Sequence, residues 1–130
     1  MLKWDEKYAI GVEIIDNQHK HLFSIAQNIY DLLKNDFKSD KFDSIVAHIG
    51  ELKDYTVFHF KTEEDYMQEI GYKKCFTHAI EHIEFIKKVN SIDFKKIDEN
   101  QDEFIFDLLD FLTNWLADHI LEKDKLYTQK

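Results

Sequence analysis

Apolar positions recur at the spacing of amphipathic helices along four stretches of the chain, and short polar segments separate them. The first stretch runs from about Asn17 to Lys34 and puts His19, Leu22, Ala26, Ile29 and Leu33 on one stripe, with Asp16 just ahead as an N-cap. The second, from about Lys41 to Met67, aligns Ile45, Ile49, Leu52, Thr56, His59, Glu63 and Met67. The third, from about Lys74 to Val89, turns Cys75, His78, Ala79, His82, Phe85, Ile86 and Val89 inward. The fourth, from about Asn100 to Asp124, does the same with Ile105, Leu108, Leu112, Trp115, Leu116 and His119. The connections KNDFKSD, QEIGYKK and NSIDFKKIDEN are short, so consecutive helices must double back on one another. The expected fold is all-α, an antiparallel up-down-up-down four-helix bundle. Ahead of it, Trp4, Tyr8, Ile10, Val12 and Ile14 share even positions, which predicts an extended N-terminal arm laid over the bundle. Residues 1–130 then make one domain, an arm over 1–16 and a bundle over 17–124.

Composition supports this and narrows the function. The chain has no proline and only three glycines, so little in it interrupts a helix. Its net charge is −9 and every basic residue is lysine. That excludes a nucleic-acid footprint, which needs positive charge and the bidentate grip of arginine. The longest apolar run is far short of a membrane span, and the N-terminus MLKWDEKYAIG carries charge where a secretory leader needs an apolar core. A lone Cys75 cannot close an internal disulfide and reads as a small packing residue. A cytoplasmic, monomeric protein is expected.

Against that apolar background the stretch VFHFKTEEDY is out of place, because it puts His59 and Glu63 on the inner stripe one turn apart. All four predicted helices share the anomaly: His19 on the first, His59 on the second, His78 and His82 on the third, His119 on the fourth, with Asp124 five residues later. In an antiparallel bundle the start of the first helix, the end of the second, the start of the third and the end of the fourth meet. These residues therefore form one cluster. Burying so many ionisable groups without a cation would cost several kcal/mol for each, so the cluster predicts bound metal. His21 lies two residues from His19 and points away, and His48 lies roughly 16 Å from His59 along its helix. Asp124 fits a regular helix poorly, since positions five apart differ by about 140°. Either the last turn is distorted or Asp124 reaches in from the end, with Asp118 and Glu122 as competing carboxylates.

Imidazole-rich sites suit zinc, copper, iron or nickel. One zinc needs only three or four ligands, whereas this set suits two metals bridged by carboxylates. No Glu-x-x-His occurs, so the carboxylate-rich di-iron enzyme pattern is absent.

The segments WDEKYAIGVEIIDNQHKHLF, HFKTEE, HAIEH and HILEKD, in this order and at these separations, resemble the hemerythrin family, in particular its single-domain bacterial members. The resemblance covers nearly the whole chain and implies a carboxylate- and oxo- or hydroxo-bridged pair of non-haem iron ions that binds O2 reversibly. His78, His82 and His119 would hold one iron, His19 and His59 the other, and Glu63 and Asp124 would bridge. In that family O2 takes two electrons from the diferrous pair and a proton from the bridging hydroxide. Leu22, Phe60, Trp115, Leu116 and Ile120, each within a turn of a ligand, would wall a dry ligand pocket. The implied role is O2 carriage or storage without catalysis, with azide and nitric oxide as competing ligands. Sensing of O2, redox state or nitric oxide through the same site is the alternative.

Overall fold

The computed structural model describes residues 3–34 and 41–128, apart from the side chains of Asp98, Glu99 and Thr128. Most of the first connection, NDFKSD, lies outside the described residues. All regular structure among the described residues is helical. Five α-helices follow one another: α1 Glu13–Lys34, α2 Phe42–Glu69, α3 Cys75–Asn90, α4 Phe94–Glu99 and α5 Gln101–Glu122. Short 3₁₀ turns stand at Glu6–Tyr8 and Asp124–Thr128. The four long helices form a bundle. No described helix is long and apolar enough to cross a membrane.

α2 repeats the sequence pattern position by position, because all seven residues of its predicted stripe are buried. It ends in a Schellman motif: Gly71 takes φ +71, its N–H bonds to Gln68, and the Tyr72 N–H bonds to Met67. That reversal delivers the chain to α3. α3 is the most lightly covered of the long helices. Cys75, Ala79 and Ile86 are only half-buried, and Phe76, Ile80 and Ile83 are exposed. On α1, Leu32 is buried and Leu33 half-buried, the reverse of the expected pair.

The segment read as a loop, NSIDFKKIDEN, contains the short helix α4, capped by the Asp93 carboxylate on the Lys95 N–H at 3.0 Å. It seals the end of the bundle with the fully buried Ile97.

The arm is also more structured than alternation implied. Tyr8 and Ile10 are buried, but Ile14 is 58% exposed because α1 has already begun at Glu13. Asp16 is therefore inside the helix and does not cap it. Its carboxylate reaches back to accept the N–H groups of Ile10 at 2.9 Å and Gly11 at 3.2 Å. Gly11, at φ +87, makes the turn that permits this.

Candidate metal centre

The start of α1, the end of α2, the start of α3 and the end of α5 meet at one end of the bundle, and they bring the seven residues together. His19, His59, Glu63, His78, His82, His119 and Asp124 are all buried, none more than 6% exposed. Asp124 arrives by a change of backbone: α5 stops at Glu122, and Asp124 opens the 3₁₀ turn. With the α-helix ended two residues earlier, Asp124 no longer has to follow helical winding and reaches in from beyond the end, while Asp118 and Glu122 stay exposed. His21 is on the surface, its ring tilted against Tyr55 and 3.9 Å from Glu51. His48 is half-buried and outside the groups able to hold a metal.

The two carboxylates are divided between two sets of histidines. Glu63 Oε1 lies 3.0 Å from His19 Nε2 and 3.1 Å from His59 Nε2, while its Oε2 lies 3.1 Å from His82 Nε2 and 3.7 Å from His78 Nε2. Asp124 Oδ2 lies 3.1 Å from His19 Nε2, and its Oδ1 lies 2.9 Å from His78 Nε2 and 3.0 Å from His119 Nε2. Each carboxylate thus turns one oxygen to His19 and His59 or to His19 alone, and the other to two of the remaining three, His78 and His82 for Glu63, His78 and His119 for Asp124.

These donors fit a cation better than they fit one another. Glu63 Oε2 and both oxygens of Asp124 accept no hydrogen bond, although a ring nitrogen stands within 3.1 Å of each. His119 Nε2 also faces two other ring nitrogens, His78 Nε2 at 3.0 Å and His82 Nε2 at 3.2 Å. Ligands at right angles around an octahedral cation at about 2.1 Å stand about 3.0 Å apart, so these separations are the edges of a coordination shell.

The polar partners behind the rings set their orientation. Thr62 Oγ1 donates to the Phe58 carbonyl at 3.1 Å, so it accepts from Gln18 Nε2 at 3.3 Å. That leaves the Gln18 amide oxygen facing His59 Nδ1 at 2.7 Å. His59 therefore carries its proton on Nδ1 and keeps a free lone pair on Nε2. Glu64 Oε2 stands 3.2 Å from His82 Nδ1, and Glu81 Oε2 stands 3.2 Å from His119 Nδ1. Tyr127 donates its hydroxyl to Glu63 Oε1 at 3.4 Å. Burial, then the charges of Glu63 and Asp124, push the Tyr127 hydroxyl far up, so it stays a donor. Sequence reading missed Gln18, Glu64, Glu81 and Tyr127. Three of them adjoin a ligand in sequence, which was the available signal.

Without a cation, protons take its place. Burial alone would lower His19 and His78, but Asp124 and Glu63 reverse this and push them up to about 10 and about 9. Burial, only partly offset by Glu63, lowers His59. Burial acts to raise both carboxylates, but the surrounding histidines hold Glu63 and Asp124 well below the usual range.

The expected pocket residues fall in two places. Leu22, Phe60 and Leu116 belong to the main core, with Trp115 half-buried against it, while Ile120 packs with Tyr8 and Phe23. Phe60 lies flat on His82, with ring centres 3.9 Å apart and planes 5° from parallel, and Trp115 lies flat on His119 at 4.3 Å and 10°. Cys75 packs beside Met67 and Tyr127, and burial together with Glu64 raises its thiol, which stays protonated.

The chain matches the family described as Hemerythrin HHE cation binding domain over residues 10–130. It is 52% identical over 127 residues to the bacteriohemerythrin of Clostridium acetobutylicum, covering 98% of each chain. It is 31% identical over 128 residues to the bacteriohemerythrin of Pseudomonas aeruginosa, covering 97% of this chain and 78% of that one. A solved wild-type hemerythrin superposes on 98% of this chain and 95% of its own, with a TM-score of 0.80 at 28% identity. With a family match from residue 10 onward and a relative identical at half its positions nearly end to end, the chain belongs to the hemerythrin family.

Proposed function

We propose that the protein binds O2 reversibly, for carriage or storage, at a carboxylate-bridged non-haem di-iron centre. His78, His82 and His119 hold one iron, His19 and His59 the other, and Glu63 and Asp124 span the two. The observation that carries the reading is the division of each carboxylate, one oxygen toward each histidine set. A carboxylate serving one ion binds it through one oxygen or chelates it with both, and has no need to present an oxygen to each set. A pair of ferrous ions supplies the two electrons that reversible O2 binding draws on. The chain's own residues do the rest. Gln18 holds His59 in the tautomer that leaves Nε2 free, and Tyr127 steadies the Glu63 oxygen facing His19 and His59. Leu22, Phe60 and Leu116 exclude water from the site's inner side.

Five histidines divide unequally, so the ion held by His19 and His59 has one ligand fewer. That side is where O2, azide or nitric oxide would compete for a position.

The test is visible absorption of the iron-loaded protein carried repeatedly through reduced, O2-exposed and oxidised forms. The expected result is two irons per chain, charge-transfer bands that come and go with O2, and one azide bound per iron pair. Zinc in the protein and no such bands after iron loading would overturn the reading.

A further inference from the structure

The far nitrogens of the histidine rings meet different chemistry on the two sides of the centre. On the three-histidine side, His82 Nδ1 and His119 Nδ1 each face a carboxylate at 3.2 Å, from Glu64 and Glu81. On the other side, His59 Nδ1 faces the neutral amide of Gln18 at 2.7 Å, and His19 Nδ1 is buried with no hydrogen-bond partner. A carboxylate accepting a ring N–H makes the imidazole a stronger donor to its metal and favours the more highly charged ion. An amide does this weakly, and an absent acceptor not at all. The flat stacking of Phe60 on His82 and Trp115 on His119 keeps those two rings turned toward their carboxylates.

We propose that Glu64 and Glu81 are positioning residues that bias charge across the metal pair, making the His78/His82/His119 position the one that oxidises first. The inference rests on the di-iron reading above. When a one-electron oxidant such as ferricyanide takes one electron from the diferrous pair, it becomes ferrocyanide. One ferrous ion becomes ferric at the three-histidine position, and the ion at His19 and His59 stays ferrous. No bond to a substrate forms, and the His82 and His119 rings keep their Nδ1 protons. The ion with fewer ligands thus keeps its electron while the three-histidine ion gives one up.

The experiment uses the full chain loaded with iron-57. Glu64→Gln, Glu81→Gln and, as the reciprocal change, Gln18→Glu are compared with the parent by metal analysis, midpoint potential and Mössbauer spectra after one-electron oxidation. All substitutions nearly preserve shape. Glu64→Gln and Glu81→Gln are each expected to shift the equilibrium toward the ferrous form about tenfold, a rise of about 59 mV for one electron. Gln18→Glu is expected to shift it the opposite way and to move ferric character toward the His19/His59 ion. Each variant is read separately, with two bound irons as the condition for comparison. Unchanged potentials in iron-loaded Glu64→Gln and Glu81→Gln overturn this inference and leave the O2 reading standing. A parent protein that binds no iron pair overturns both.

Discussion

The two ends of the bundle are built by the same helices and held by opposite means. At the far end, Ile29, Leu32, Ile45, Ile49, Val89, Ile97 and Ile105 close an apolar core. The one buried charge there among the described residues, Lys41, reaches out to Asp102 at 2.9 Å. At the near end, five histidines and two carboxylates occupy the same depth with almost no exposure. Apolar burial stabilises the far end under any conditions. The near end is stable only insofar as something satisfies its lone pairs. One end of this protein thus folds on sequence pattern alone, and the other is conditional on what it holds.

The largest expected effect comes from removing metal. A ligand present at a thousandfold its Kd contributes about 4 kcal/mol to the folded state, and metal-free protein is expected to melt correspondingly lower. Amide exchange should speed up around His119 and Asp124 and stay slow around Ile49 and Ile105. The gap should widen with pH. In metal-free protein, His19 and His78 are held up to about 10 and about 9 and so stabilise the fold fully below 6.5, the unfolded value. That stability is lost as pH rises from 6.5 through 9 to 10. His59 is lowered from 6.5, so its contribution is full above 6.5 and is lost as pH falls below it through the lowered value. Glu63 and Asp124, held below 4.5 and 3.8, add a further loss in acid. Metal-free stability should therefore peak near 6.5. Loaded protein should lack the alkaline fall, because the Nε2 atoms of His19 and His78 then bind metal and hold no proton to release. Melting curves across pH with and without chelator decide this.

A pair of substitutions separates the ends. Glu63→Ala removes an oxygen from both histidine sets. It is expected to abolish binding of both ions, so that added metal no longer raises the melting temperature. Ile105→Ala empties a fully buried site at the far end. It should cost about 2–5 kcal/mol, with the same metal stoichiometry and the same loss whether or not metal is present. A Glu63→Ala protein that still holds two ions would break the comparison.

How legible each end was follows from the same contrast. α2 is packed along its length, so its apolar and polar inner positions could all be read from spacing. The histidine cluster was legible because polar residues on a buried stripe are conspicuous. Glu64 and Glu81 were not, since each is about one-third exposed, at 33% and 32%, and looks like any surface carboxylate beside a helix face. α4 hid because a six-residue helix shows too little of a period; only Asp93 and the Ile92–Ile97 spacing marked it. Asp16 carried a correct signal, a carboxylate at a helix start, but its role lay in backbone geometry set by Gly11.

The smallest expected effect concerns the arm, and it tests whether the near end depends on more than metal. Ile10 packs with Ile15, Met67 and Tyr127, and Tyr8 packs with Phe23 and Ile120. Both groups lie at the metal end. Asp16 ties this cover down through two backbone N–H groups, at 2.9 and 3.2 Å. Its carboxylate is only half-buried, so water replaces much of what Asp16→Ala removes, and the global cost should be about 1 kcal/mol. The local consequence should be sharper. Loosening the arm frees Ile10 from Tyr127, whose hydroxyl steadies Glu63. Loaded Asp16→Ala protein is therefore expected to surrender metal to a chelator faster than its parent, while amide exchange around Ile105 stays unchanged. Equal rates of metal loss would show that the arm adds stability without guarding the site, and the conditional character of the near end would then rest on its seven donors alone.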